Sequence, residues 1–344
     1  MKKKLFLVCA ALVWTVSLMA QNISVVAANG STKLYRTLQA AIEGAEPNSV
    51  IYLPGGGFPI TDEVKITKKL TIIGIGHKIH TENPDGYTTV GGNLFFDQGS
   101  DGSALMGCYL TGGVYIGNDG NEVDDVLIRC NNIAHVNVKN NKCMGTNVNQ
   151  NYIREDACFT GSSARLTNNV IDSVNDLDDG YISNNIITGT VSWREGSGYT
   201  YTYSIGMSSC DRTSITNNII FVKPANSSGG NWSSTTSIHS GSNCFASGNM
   251  CVVDWGDDCI NVGSVDWKNV FMKYNGISAT SDFHFKEDYA QYEGQVGIYH
   301  GTFNNDQLAP VPYIVAKSIP EQTDAAGKLK IKIRVKAGDV GGDE

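Results

Sequence analysis

Charged residues are scarce in this 344-residue chain: Asp, Glu, Lys and Arg make up 17% of it, with 34 acidic against 26 basic side chains. So few charges leave little material for the solvated faces of long helices, which argues against a coiled coil or helical bundle. A net charge of −8 supplies no basic face for general nucleic-acid binding. No C-x-x-C pair occurs, so the usual zinc-site spacing is missing. Pro54-Gly55-Gly56-Gly57 lacks the Lys-Ser/Thr of a phosphate loop and reads as a corner. Beyond residue 20 no apolar run is long enough to cross a membrane. What the chain has in quantity is turn material, 38 Gly and 31 Asn, beside a 41% hydrophobic fraction that can bury a core and argues against disorder.

Residues 1–20 read as a secretory signal peptide. Lys2, Lys3 and Lys4 precede an apolar run over 5–18, and Met19-Ala20 then meets the polar Gln21-Asn22, which places cleavage after Ala20. Fourteen helical residues span about 21 Å, short of a hydrocarbon core of roughly 30 Å. The expected location is therefore outside the cytoplasm: periplasmic, cell-surface or extracellular. Eight cysteines remain after cleavage: Cys108, Cys130, Cys143, Cys158, Cys210, Cys244, Cys251 and Cys259. Export permits disulfides, while buried free thiols acting as small apolar residues are the other reading.

The mature chain opens with one helix signal. Leu38, Ala41, Ile42 and Ala45 fall at i, i+3, i+4 and i+7, one helical face. Strand signals follow at Val50-Ile51-Tyr52-Leu53, stopped by Pro54, and at Leu70-Thr71-Ile72-Ile73. The pieces 37–45, 51–57 and 69–76 resemble the N-terminal cap of the pectin-lyase-like superfamily: a helix, a strand with Pro-Gly-Gly, then K-x-L-T-I-x-G-x-G. The resemblance implies an all-β fold, a right-handed parallel β-helix with an N-terminal capping helix.

Short β segments with Asn at their turns support the same fold independently. They are Cys130-Asn131-Asn132-Ile133, Asn168-Asn169-Val170-Ile171, Asn184-Asn185-Ile186-Ile187, Asn217-Asn218-Ile219-Ile220 and Gly248-Asn249-Met250-Cys251. Taken at 132, 169, 185, 218 and 249, they predict coils of one or two turns per interval, a solenoid signature. Each corner needs a residue that tolerates left-handed φ, which Asn and Gly do. Stacked corners would let Asn amides bond as a ladder, with the Ile and Val behind them pointing inward. The expected coils occupy 21–305. Residues 306–344 form a C-terminal cap, in which 328–336 alternates Lys or Arg with Leu329, Ile331, Ile333 and Val335 as a half-buried strand.

The sharpest chemical signal is Gly256-Asp257-Asp258-Cys259-Ile260. It resembles the G-D-D-C-I strand of family-28, polygalacturonase-type glycoside hydrolases. That resemblance implies Asp257 as general acid and Asp258 as part of the base that activates water. The family's further acid one coil earlier has no counterpart in 233–242, and its G-H-G and R-I-K motifs are missing. Beside it stands a solvated acidic corner ahead of inward Cys259 and Ile260. The β-helix lyases offer a second chemistry, a carboxylate-held calcium ion with an Arg, Lys or Tyr base. Asp254 with Asp257 and Asp258, Asp176 with Asp178 and Asp179, or Asp119, Glu122, Asp124 and Asp125 would hold the ion, and Arg194, Arg212 or Lys286 would be the base. Trp193, Arg194 and Trp255 are the candidate substrate-binding residues, since exposed aromatics stack on sugar rings. The histidines show no ligand spacing. The expectation is an exported protein that binds or degrades a complex, uronate-containing polysaccharide. The alternative is a non-catalytic structural or adhesive protein of the cell surface. Oligomeric state is left open.

Overall fold

A computed structural model describes residues 22–60, 63–77, 86–196, 199–205, 207–221, 238–240, 243–252, 254, 256–263, 265–300, 313–318, 327–328 and 331–336; at 190–196, 199–205, 208–209, 238–240, 313–318 and 335–336 it describes backbone only. The expected helix forms at Leu38–Gly44. Thr37 caps it, its hydroxyl accepting from Ala40 N at 3.2 Å, and Leu38, Ala41 and Ile42 face the core. Almost everything else is strand.

Two long sheets dominate, one of 11 and one of 16 strands among the described residues. After an antiparallel start at Ile23–Val26, the 11-stranded sheet is parallel throughout. Its parallel strands begin with Ser49–Tyr52, Leu70–Ile73, Ala104–Met106 and Leu127–Arg129 and end with Ser214–Thr216 and Phe245–Ser247. The 16-stranded sheet is two parallel columns fused by the long strands Tyr152–Ser162 and Val170–Leu177. One column runs from Gly56–Pro59 to Ile260–Asn261; the other runs from Val64–Ile66 to Ile238–Ser240.

Register explains why the columns hold. Ile51, Ile72, Leu105, Ile128, Val148, Leu166, Ile182 and Ile215 pair successively, and every one is fully buried. Alternation sends these side chains to one face, so each strand adds one aliphatic layer to a common core.

Between the first and second columns the backbone turns through a left-handed residue at each level: Cys130, Gln150, Asn168, Asn184, Asn217, Gly248 and Asp258, with φ from 50° to 64°. The next residue is a fully buried Asn at six successive levels, 131, 151, 169, 185, 218 and 249. Each Oδ1 from Asn151 onward accepts the backbone N–H of the Asn one level earlier, at 2.9–3.0 Å. The ladder therefore runs through Asn131 rather than Asn132, because Cys130 takes the left-handed position. It also includes Asn151, which carries Gln150 before it in place of Asn. The wide 33-residue step from 185 to 218 is one level with an antiparallel hairpin, Thr190–Gly196 against Tyr199–Ile205, inserted in it.

Residues 265–300 fold back over the outside of the second column. Its outward row, Tyr152, Val170, Ile186, Ile219 and Met250, is buried together with Phe221, Trp267, Phe271, Phe283 and Phe285. Trp267 stacks on Phe221 with centroids 4.1 Å apart and donates its indole N–H to Phe221 O at 3.2 Å. Further on, Lys332–Lys336 pairs antiparallel with Tyr313–Ser318. Ile331 and Ile333 are 51% and 55% exposed, so the alternating strand expected at 328–336 is not half-buried among the described residues. No described helix is long and apolar enough to cross a membrane.

Candidate functional site

Chemistry-bearing side chains gather where the second column hands over to the third, at Gly113, His135 and Glu155-Asp156 on successive levels. Ladder register does the positioning. His135 lies four residues after Asn131 and Glu155 four after Asn151, and pairing Val136 with Ala157 sets His135 beside Asp156. Gly113 makes the room: a Cβ there would stand 2.3 Å from Cδ2 and Nε2 of the His135 ring.

The imidazole is held from both sides. Its Nε2 lies 2.6 Å from the Tyr115 hydroxyl, and its Nδ1 lies 3.7 Å from Glu155 Oε2. Ligand atoms of His135, Glu155 and Asp156 all lie within 4.8 Å of one another. Tyr115 stacks on Phe95 at 4.9 Å, and the Lys139 ammonium sits 5.5 Å from its ring centre. Burial first, then the charges of Asp156 and Glu155, push the Tyr115 phenol above its ordinary value. At neutral pH it is a neutral hydroxyl that can donate one hydrogen bond and accept another.

Arg154 borders this corner. Its guanidinium donates to Asn132 Oδ1 and to Leu110 O at 2.8 Å, and packs 4.9 Å from the Tyr109 ring. These bonds tie three levels together.

The residues singled out from the sequence lie elsewhere. Asp257 bridges Ser247, its N–H bonding Ala246 O at 2.8 Å, and Asp258 holds the left-handed corner at φ 50°. Both side chains are exposed, as is Asp254, whose Oδ1 accepts from Asn261 at 2.8 Å. Trp255 lies outside the described residues; Trp193 and Arg194 are described in backbone only, opposite Thr202 and Tyr201 of the hairpin. Arg212 is the counter-ion of Asp178, Asp179 and Asp211, and its hydrogen bond holds the Asp179 carboxyl below its ordinary value. Lys286 donates to Lys268 O at 2.7 Å.

His135, Tyr115, Glu155 and Asp156 carry no mark in the linear sequence, because about twenty residues separate each level from the next. Counting four positions on from consecutive ladder Asn residues would have placed His135 beside Glu155. No family model, no curated protein and no solved structure matches this chain.

Proposed function

We propose that the chain is an exported right-handed parallel β-helix protein that binds and degrades a complex, uronate-containing polysaccharide along its flank. Three parallel strand columns with in-register aliphatic rows and an Asn ladder support the β-helix part of this reading. The signal-like start at residues 1–20 supports export.

The observation that carries the activity is the His135–Tyr115 couple, an imidazole and a phenol 2.6 Å apart on a half-buried corner. Such a couple can take a proton from a sugar carbon beside a carboxyl group and return one to the leaving glycosidic oxygen. Lys139 is the cation at hand to meet the sugar carboxylate. The acidic pair Asp257 and Asp258 offers hydrolysis as the competing chemistry.

The test incubates the purified chain with polyuronates and with neutral polysaccharides. Unsaturated uronate absorbance is expected, falling at least a hundredfold in H135A and Y115F and unchanged in D257N. Reducing ends that vanish in D257N and persist in H135A would move the chemistry to the aspartates. Saturable glycan binding without product from any polymer would leave a non-catalytic surface protein.

A further inference from the structure

The His135 corner has a geometry that proton transfer alone does not account for. His135 Nδ1 and Glu155 Oε2 are 3.7 Å apart, too far for a hydrogen bond. Two ligands of a tetrahedral zinc ion, each about 2.0–2.2 Å from it, stand about 3.4 Å apart. The third group, Asp156, brings its carboxylate within the same 4.8 Å span. The three come from two neighbouring levels of parallel strand, so the backbone fixes their spacing.

The far side of the ring fits too. A metal-bound imidazole donates its other N–H to a fixed partner, which sets the tautomer and aims the ring. Tyr115 Oη stands 2.6 Å from Nε2 and is itself fixed by stacking on Phe95. The ring lies over Gly113, where any side chain would displace it. Glu155, with its side chain 68% exposed, leaves the ion open to solvent on one side.

We propose that His135 Nδ1 and one carboxylate oxygen each from Glu155 and Asp156 bind a divalent transition metal ion of the zinc type, with a fourth position open to water or a ligand. One imidazole nitrogen with two carboxylates suits zinc better than calcium, which takes six to eight oxygens. Binding neutralises the two carboxylates beside Tyr115. It also obliges Nε2 to carry the ring proton, so that His135 donates to Tyr115 Oη. With Nδ1 on the metal and Nε2 protonated the imidazole takes no further proton, so the proton transfer proposed above belongs to the metal-free corner. That consequence rests on the functional reading above; the metal site itself does not.

Zinc chloride titrated calorimetrically into the full chain tests the site. One equivalent is expected to bind, with a higher melting temperature, and magnesium and calcium are expected to bind at least a hundredfold more weakly. H135A, E155Q and D156N should each weaken zinc at least tenfold. Glu155 is exposed, so E155Q keeps the test decisive even if H135A does not fold. Cobalt as a substitute should give the visible bands of a tetrahedral N/O site, lost in E155Q. Zinc binding indifferent to all three substitutions, or calcium bound as tightly as zinc, overturns the proposal. Polysaccharide cleavage undiminished by saturating zinc overturns the proton-transfer consequence and leaves the functional reading. Stoichiometric zinc binding without cleavage of any glycan does the reverse.

Discussion

Single asparagines carry an unusual share of this molecule's order. Asn169 Oδ1 accepts from Asn151 N at 2.9 Å, and its amide donates to Val148 O at 2.8 Å and to Asn185 Oδ1 at 3.0 Å, all in full burial. Truncation to alanine strips the Asn151 N–H of its acceptor, and the Val148 carbonyl and Asn185 Oδ1 of a donor each, in the dry interior. At about 1–3 kcal/mol per orphaned group, N169A should lose on the order of 4 kcal/mol in urea denaturation. A loss under about 1 kcal/mol would mean the ladder is decoration. Thr160 is the opposite case. It is exposed yet held at φ 49°, a region costly for a β-branched residue. T160N should raise stability by about 1 kcal/mol in the same assay, since Asn enters that region more readily. A neutral or destabilising result would show that the Thr160 methyl or hydroxyl has a role that outweighs its strain.

Elements show where sequence reasoning succeeds and where it stops. Corners were legible because a left-handed φ has few tolerant residues, and Asn-Asn marks them. At Asn131-Asn132 the ladder residue is the first Asn and not the second, because a cysteine, Cys130, takes the strained position there. Asn151 has no Asn-Asn mark because glutamine, Gln150, holds the strained position in that corner. The segment 265–300 gave no periodic signal, since its aromatics are scattered along a short helix, a hairpin and a 3-10 turn. Its role emerges only against the outward row it covers. Phe271 is fully buried among Phe221, Trp267, Phe283 and Phe285. F271A should cost about 3–5 kcal/mol and uncover the apolar row from Val170 to Met250, seen as new binding of a hydrophobic dye. Unchanged dye binding with unchanged stability would mean that the segment does not seal that face. The His135 corner was illegible for a related reason. Its residue types are ordinary one by one, and only level-by-level register makes them neighbours.

Across the whole molecule, the stacked columns turn cysteines into interior material. Among the described residues none of the eight is in a disulfide, and five are buried. Desolvation drives the Cys108 and Cys210 thiols up to about 12 and Cys130 up to about 11. In the unfolded chain a thiol ionises near about 8.5. Between those values the native state keeps protons that the unfolded state has released, so stability is complete below about pH 8.5 and falls as pH rises. Each such thiol can remove up to about 1.4 kcal/mol per pH unit. Urea melts under reducing conditions at pH 8 and pH 10 should therefore differ by several kcal/mol, with thiol reagents reaching these three residues only on unfolding. Burial within a continuous stack, rather than any local partner, sets these values, because desolvation outweighs every charge near them. A flat profile between those pH values, or rapid labelling of Cys108 in the native protein, would mean that the core admits water and that the columns do not close on one another.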